Sequence, residues 1–268
     1  MGLTDSAPNG VGARLRRRAP WSVNGNDNCR RAGVDSNPPT GGFDPGARLP
    51  RVDWDAHSER EEERYADGLS RLPEDADARQ KQPVRVAMAA GGAGLARLMQ
   101  GRRAEAVGWL ARSAERYRES WEGAPAGSWG RLIGAIKSRI LAGDWEGAAD
   151  DARWALEQGP AESDSAIGAY AAMLALLTIA EDARASELAA ALGESDFPQP
   201  VADALIALAG RDRDAYSDAL RRVLESFETR EAYLEDIPVA DTVLVLDALA
   251  ARRGMAVEPR SSLLPRSS

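Results

Sequence analysis

The chain is poor in the residues that carry most protein chemistry. It has one cysteine, Cys29, and one histidine, His57, among 268 residues. A lone cysteine excludes an internal disulfide. A zinc site built from cysteine and histidine is excluded as well, and a Ser-His-Asp or Cys-His catalytic unit could be assembled only through His57. Lysine is nearly absent: Lys81 and Lys137 are the only two, and arginine supplies the other basic residues, the usage expected from a GC-rich genome. Phenylalanine occurs three times. No apolar run reaches the roughly 18 residues needed to cross a bilayer. The arginines near the N-terminus are followed by Ala19-Pro-Trp-Ser-Val, too short and polar for a signal peptide. These absences describe a cytoplasmic protein that uses no cofactor, no metal and no membrane.

Alanine, leucine and valine dominate the 44% apolar share. Such a composition, punctuated by glycine and low in aromatics, favours helices over sheets. The formal charge of −8 argues against a nucleic-acid partner. Residues 1–50 differ from the rest. They hold every asparagine, six of the 15 prolines and eight of the 25 glycines. Seven arginines against four aspartates make this stretch +3 and leave −11 for residues 51–268. It shows no apolar periodicity with which to bury a core, so residues 1–50 read as a disordered basic tail or as misassigned upstream sequence. Arg16-Arg17-Arg18 is its only charge cluster.

Residues 51–268 read as one all-helical domain. Its clearest stretch is Leu141–Pro160, LAGDWEGAADDARWALEQGP. Before it, Leu132, Ile133, Ile136, Ile140 and Leu141 recur at steps of three and four, the spacing of one helix face. Gly143 can end that helix in the left-handed conformation and Asp144 can cap the next. Small residues at Ala148, Ala152 and Ala155 then allow close approach, and Gly159-Pro160 stops the helix. This is the second half of a tetratricopeptide pattern. In the first half, Arg139 stands where that pattern has an aromatic. Comparable turns are expected at Gly101, at Glu181-Asp182 and at Gly210-Arg211-Asp212. The expected architecture is therefore all-α, an irregular stack of antiparallel helix pairs forming a tetratricopeptide-like α/α array.

The remaining segments complete this reading. Asp53 or Asp55 caps a helix through Arg64, Tyr65, Leu69 and Leu72, with Glu59–Arg64 as a solvated charged face and His57 solvated within it. Glu74–Gln82 reads as a loop, and Val84–Leu98 as a helix packed closely through Gly91, Gly92 and Gly94. In Ala104–Tyr117, Val107, Leu110, Ala111 and Ala114 face inward. Ile167–Ile179 is followed by a returning helix over Ala183–Leu192, then by Val201–Ala209 and Asp214–Phe227. Pro238 starts a last helix, Val239–Ala251, that is apolar on nearly every side and stops at Arg252-Arg253-Gly254. Leu263-Leu264-Pro265 can dock back on the domain.

Tyr233–Gly254, YLEDIPVADTVLVLDALAARRG, with the tail ending Leu263-Leu264-Pro265, resembles the C-terminal part of immunity protein 49 family members. Arg102–Leu110, RRAEAVGWL, resembles an early helix of the same family. The resemblance spans roughly residues 53–265. It implies a cytoplasmic, all-helical protein without enzymatic activity, whose partner is the cognate protein toxin of a bacterial polymorphic-toxin system. It assigns no binding residues.

Candidate contact residues come from the turns. Asp144, Glu146, Asp150 and Asp151, with Asp212 and Asp214, would form a negative strip along one edge if the units stack, and Trp145 adds an aromatic at the same turn. Such a strip would steer a basic partner. Five of the seven tryptophans lie between Trp109 and Trp154; Trp109 and Trp154 sit on apolar faces and fill gaps between alanine-rich helices. Adjacent carboxylates, Asp150/Asp151 and Glu235/Asp236, point about 100° apart on a helix and do not converge on a substrate. A generic tetratricopeptide-like scaffold that binds a peptide or regulator is the alternative to toxin neutralisation.

Overall fold

A computed structural model describes residues 52–266 apart from Leu72, Glu194, Leu234 and Glu235. The expectations for residues 1–50, Cys29 among them, and for Leu72 and Glu235 lie outside the described residues. Within them the chain is helical, with no strand.

Helices α1 (Trp54–Ser70), α2 (Ala76–Met99) and α3 (Arg103–Glu119) open the domain. Asp53 caps α1 through Ala56 N at 3.0 Å. Glu74–Gln82 is not a loop. Asp75 caps α2 through Ala78 N at 2.7 Å, and the helix runs through Pro83. The polarity of this segment belongs to an exposed first turn, and Gln82 Nε2 donates to Gly68 O at 2.8 Å to hold it on α1. Gly91, Gly92 and Gly94 are packing residues. A Cβ at Gly94 would lie 2.7 Å from Leu110 Cγ, and one at Gly92 would lie 2.5 Å from Ile237 Cδ1 and 3.0 Å from Glu61 Cγ. Glu61 corrects the solvated charge run: it is fully buried, and it accepts hydrogen bonds from Arg60 and Arg64. His57 is half-buried, its ring 5.5 Å from that of Trp54 and its Nδ1 2.7 Å from Arg60 Nη2. Burial, then Arg60, lowers its pKa. Ala106, Leu110 and Ala114 face inward on α3, but Val107 is exposed and Ala111 only half-buried.

Next come α4 (Gly130–Ala142), α5 (Trp145–Glu157), a 3-10 turn (Pro160–Glu162) and α6 (Ala166–Thr178). Every residue from Gly168 to Thr178 is buried. The returning segment breaks into α7 (Asp182–Glu187) and α8 (Ala189–Gly193) instead of forming one helix. The domain closes with α9 (Gln199–Ala209), α10 (Arg213–Glu228) and α11 (Asp241–Ala251). Pro238 does not begin α11. Val239 and Ala240 are buried ahead of it, and Ala240 N donates to Leu263 O at 2.9 Å, which docks the tail together with buried Leu264. Consecutive helices pack from α1 to α6. Helices α7, α8 and α9 gather around α6, α10 packs on α9, and α11 packs on α4, α9 and α10.

One turn recurs five times. A residue in the left-handed region ends the helix at Gly101, Gly143, Ala180, Arg211 and Gly254. In each case the next amide donates to a carbonyl five positions back: Arg102 to Arg97, Asp144 to Arg139, Glu181 to Leu176, Asp212 to Ala207 and Met255 to Ala250. This is the Schellman closure, which satisfies carbonyls that a helix end leaves open. The left-handed residue in the fourth is Arg211, not Gly210, and in the third it is Ala180, ahead of Glu181-Asp182.

The half-buried pair Lys137–Asp241 ties α4 to the start of α11, at 2.6 Å, with Thr242 Oγ1 3.2 Å from the ammonium. Burial opposes the charge on Lys137, yet Asp241 and Tyr170 outweigh it and raise the lysine pKa.

Two predictions follow from these contacts. Ala180 is exposed and left-handed, so Ala180→Gly should raise the unfolding free energy by about 0.5–1 kcal/mol, relief of Cβ crowding exceeding the added chain entropy. An unchanged or lower urea midpoint would contradict it. For Lys137 the folded pKa lies above the unfolded value, so its contribution is complete below the ordinary lysine pKa of 10.5 and fades as pH rises through the folded value. Urea unfolding at increasing alkaline pH should therefore show a shallower loss of stability for Lys137→Met than for the wild type. Equal slopes would remove the linkage.

Candidate protein-binding edge

The five left-handed turns are fastened to one another at one end of the domain. The Arg103 guanidinium comes within 3.2 Å of where a Cβ at Gly143 would sit, joining the α2–α3 turn to the α4–α5 turn. Arg252, at the end of α11, lies over the Trp145 ring at 4.4 Å. Its neighbour Arg253 is buried and donates to Leu177 O at 2.7 Å and to Asp182 Oδ1 at 2.5 Å, clamping α11 onto the α6–α7 turn. Asp182 also pairs with Arg211 at 2.9 Å, which reaches the α9–α10 turn. Two ion pairs through Asp182, one cation–π contact and one close approach thus link the turns along this edge.

The predicted acidic residues divide into two groups. Asp144 caps α5 through Gly147 N at 2.9 Å and pairs with Arg139 at 3.0 Å. Asp151 is buried, 2.6 Å from Arg118 Nη1 and 3.3 Å from Arg139 Nε. Arg139 replaces the pattern's aromatic by bridging the turn and α5 through these two carboxylates. Asp144 and Asp151 therefore hold the turn together and do not form an open negative strip. Glu146, Asp150, Asp212 and Asp214 are exposed. Asp150 pairs with the equally exposed Arg153, and Asp212 caps α10 through Ala215 N at 3.0 Å. Glu146 and Asp214 carry no such tie. The outward surface is a mixture: carboxylates alternate with Arg103, Arg211 and Arg252.

Trp145 is half-buried, held between the core and Arg252. Trp121, Trp129 and Trp154 pack together as a structural cluster. Trp121 stacks on Trp129 at 5.9 Å and meets Trp154 edge-on at 6.1 Å, and its Nε1 donates to Gln158 Oε1 at 2.9 Å. This cluster pins the segment between α3 and α4. Trp109 packs edge-on against Tyr65 at 5.3 Å.

Titratable groups with altered pKa values lie elsewhere. Burial, reinforced by Asp247, pushes the Tyr216 hydroxyl well above the ordinary range, and that hydroxyl has no hydrogen-bond partner. Burial also raises Asp247, although Val257 N donates to it at 3.2 Å. Asp247 interrupts the apolar α11 in order to hold the tail, a role that periodicity did not reveal. Among the described residues no group of three or more histidine, cysteine, aspartate or glutamate side chains is placed to hold a metal ion.

The division between internal and outward carboxylates predicts opposite outcomes. Asp151→Ala leaves Arg139 short of a partner inside the turn and should cost about 2 kcal/mol, the half-exposed Arg118 keeping this below a fully buried pair. Glu146→Ala should change stability by less than about 0.5 kcal/mol. Chemical denaturation of both variants decides the matter; a larger loss for Glu146→Ala would reverse the assignment.

Comparison of the chain with protein-family models, with curated proteins and with solved structures finds no match.

Proposed function

We propose that this chain is a non-enzymatic immunity protein that acts in the cytoplasm, where it binds and neutralises a cognate toxin of a bacterial polymorphic-toxin system. The observation that carries the reading is the edge of fastened turns. Five helix ends are held by repeated backbone closures and by Arg–Asp contacts, so the surface they present is formed before any partner arrives. A preformed surface loses little conformational entropy on binding. Glu146, Asp150, Asp212 and Asp214 on that surface favour encounter with a basic protein, while Trp145 supplies an aromatic of the kind that dominates interface energetics. The helix pairs are read as a tetratricopeptide-like array, with α11 closing it. The resemblance of Tyr233–Gly254 and Arg102–Leu110 to immunity protein 49 family members supports the toxin as partner. Arg252 and Arg253, within the first of these segments, fasten the edge.

A second reading, a scaffold for a peptide or regulator, draws on one observation. A cavity of about 610 Å³ lies between α9 and α10, floored by Ile206, Ala207, Gly210 and Ala215 and rimmed by Asp203 and Asp218. No helix among the described residues is long and apolar enough to cross a membrane.

Co-expression of the chain with the product of an adjacent toxin gene tests the first reading. A co-purifying complex and restored growth are expected, and the double variant Glu146→Arg/Asp214→Arg should weaken the complex at least about tenfold by charge reversal at the rim. Absence of both complex and rescue would sink the toxin reading. Capture of a peptide that Gly210→Phe abolishes, by filling the α9–α10 cavity, would favour the scaffold.

A further inference from the structure

The C-terminal segment lies across the seam between α10 and α11. Residues 256–266 form no helix, yet they are fastened along their length. Arg213 Nη2 of α10 donates to Ala256 O at 3.4 Å, and Val257 N donates to Asp247 Oδ1 of α11 at 3.2 Å. Further on, Ser261 Oγ donates to Glu228 Oε1 at 2.7 Å, and Leu263 O accepts from Ala240 N at 2.9 Å. Leu264 is buried and anchors the far end. The segment therefore runs from the first turn of α10 to its last, tied to α11 on the way.

Three features oppose this closed position. Tyr216, three residues beyond Arg213 on α10, is fully buried, and its hydroxyl has no hydrogen-bond partner. A buried hydroxyl without a partner has given up its bonds to water. It lies close enough to Asp247 for that carboxylate to act on its ionisation. Asp247 is itself held by the segment at a cost. Burial, with Glu258 adding a like charge, raises its pKa even though the Val257 and Glu258 amides donate to it. Glu258 stands at φ +50°, in the left-handed region that a Cβ crowds. Lifting the segment returns the carboxylate and the hydroxyl to water and frees the Glu258 backbone.

We propose that residues 256–266 are a strap that opens as one unit while α10 and α11 stay folded. The seat of Leu264 closes it, and the polar groups beneath it, the Tyr216 hydroxyl and the charge on Asp247, hold it near opening. Met255 is the hinge. Its side chain is buried and its amide closes the Gly254 turn on Ala250 O, so the turn and the Arg253 clamp persist when the strap is open. The strap therefore works independently of the toxin reading.

Amide hydrogen exchange of the full chain, resolved by NMR, tests this. The Val257, Leu264 and Ala240 amides should share one opening rate, protected relative to an unfolded chain yet at least about tenfold faster than the amides in the middle of α10. Tyr216→Phe removes the unpartnered hydroxyl, and Asp247→Asn removes the charge while keeping an acceptor for Val257 N. Each should slow the shared exchange at least about threefold, the reverse of what loss of a simple structural contact produces. Leu264→Ala should speed all three amides together by at least about tenfold. Exchange of the strap amides at the α10 rate would overturn the proposal, because no separate opening would then exist. Unprotected strap amides, or Leu264→Ala acting on its own amide alone, would overturn it too, as would faster exchange in both Tyr216→Phe and Asp247→Asn. None of these outcomes bears on the toxin co-expression result, because Glu146 and Asp214 lie outside the strap.

Discussion

Helix α6 has no polar side. From Gly168 to Thr178 no residue reaches solvent, so the helix is stable only when other elements cover it all round. The domain is arranged to provide that cover. α4, α5, α7, α8 and α9 all pack on it, as does the 3-10 turn beginning at Pro160. α11 then bridges α4, α9 and α10, so the helices on either side of α6 are joined by a helix far away in sequence. Its polar ties are few: Asp241 to Lys137 at the start, Asp247 to Val257 N in the middle, and Arg253 to Leu177 O and Asp182 at the finish.

The same burial explains the edge of turns. Packing helices around a common centre brings alternate connections to one end of the domain, and each connection must satisfy open carbonyls in a short span. The left-handed closure does this with two residues. Glycine occupies it without crowding at 101, 143 and 254, while Ala180 and Arg211 adopt it against their intrinsic preference. At Arg211 the pairing with Asp182 offsets part of that cost. The edge is thus a consequence of the core. Its charge is mixed because the arginines that fasten it neutralise much of the acid expected there.

Much of the frame was legible from residue spacing. Steps of three and four located the helices, and Gly143-Asp144 marked both a helix end and the next cap, which the structure reproduces in the left-handed Gly143 and the bond from Gly147 N to Asp144. The candidate site was legible only in part. Acid at helix starts can cap, pair or face outward, and local sequence does not separate these uses. Asp151 and Glu146 lie in the same helix, yet one is enclosed by Arg118 and Arg139 and the other is open to solvent. Glu61 was hidden within a charge run for the same reason: Gly92, far away in sequence, leaves the space that buries it.

Sequence by itself determined the helical class, the positions of the turns and the apolar character of α6 and α11, because these depend on local propensity and on periodicity along the chain. Only the tertiary structure decided which charges are spent inside the protein. Arg253, Lys137 and Asp151 resemble surface residues until their partners arrive from distant segments, and Glu61 until Gly92 of α2 packs over it. It also decided that Tyr65 meets Trp109, since the two rings come together only when α1 and α3 pack side by side on α2. Pair energies depend on distance and burial, and neither is fixed until the chain has closed around α6.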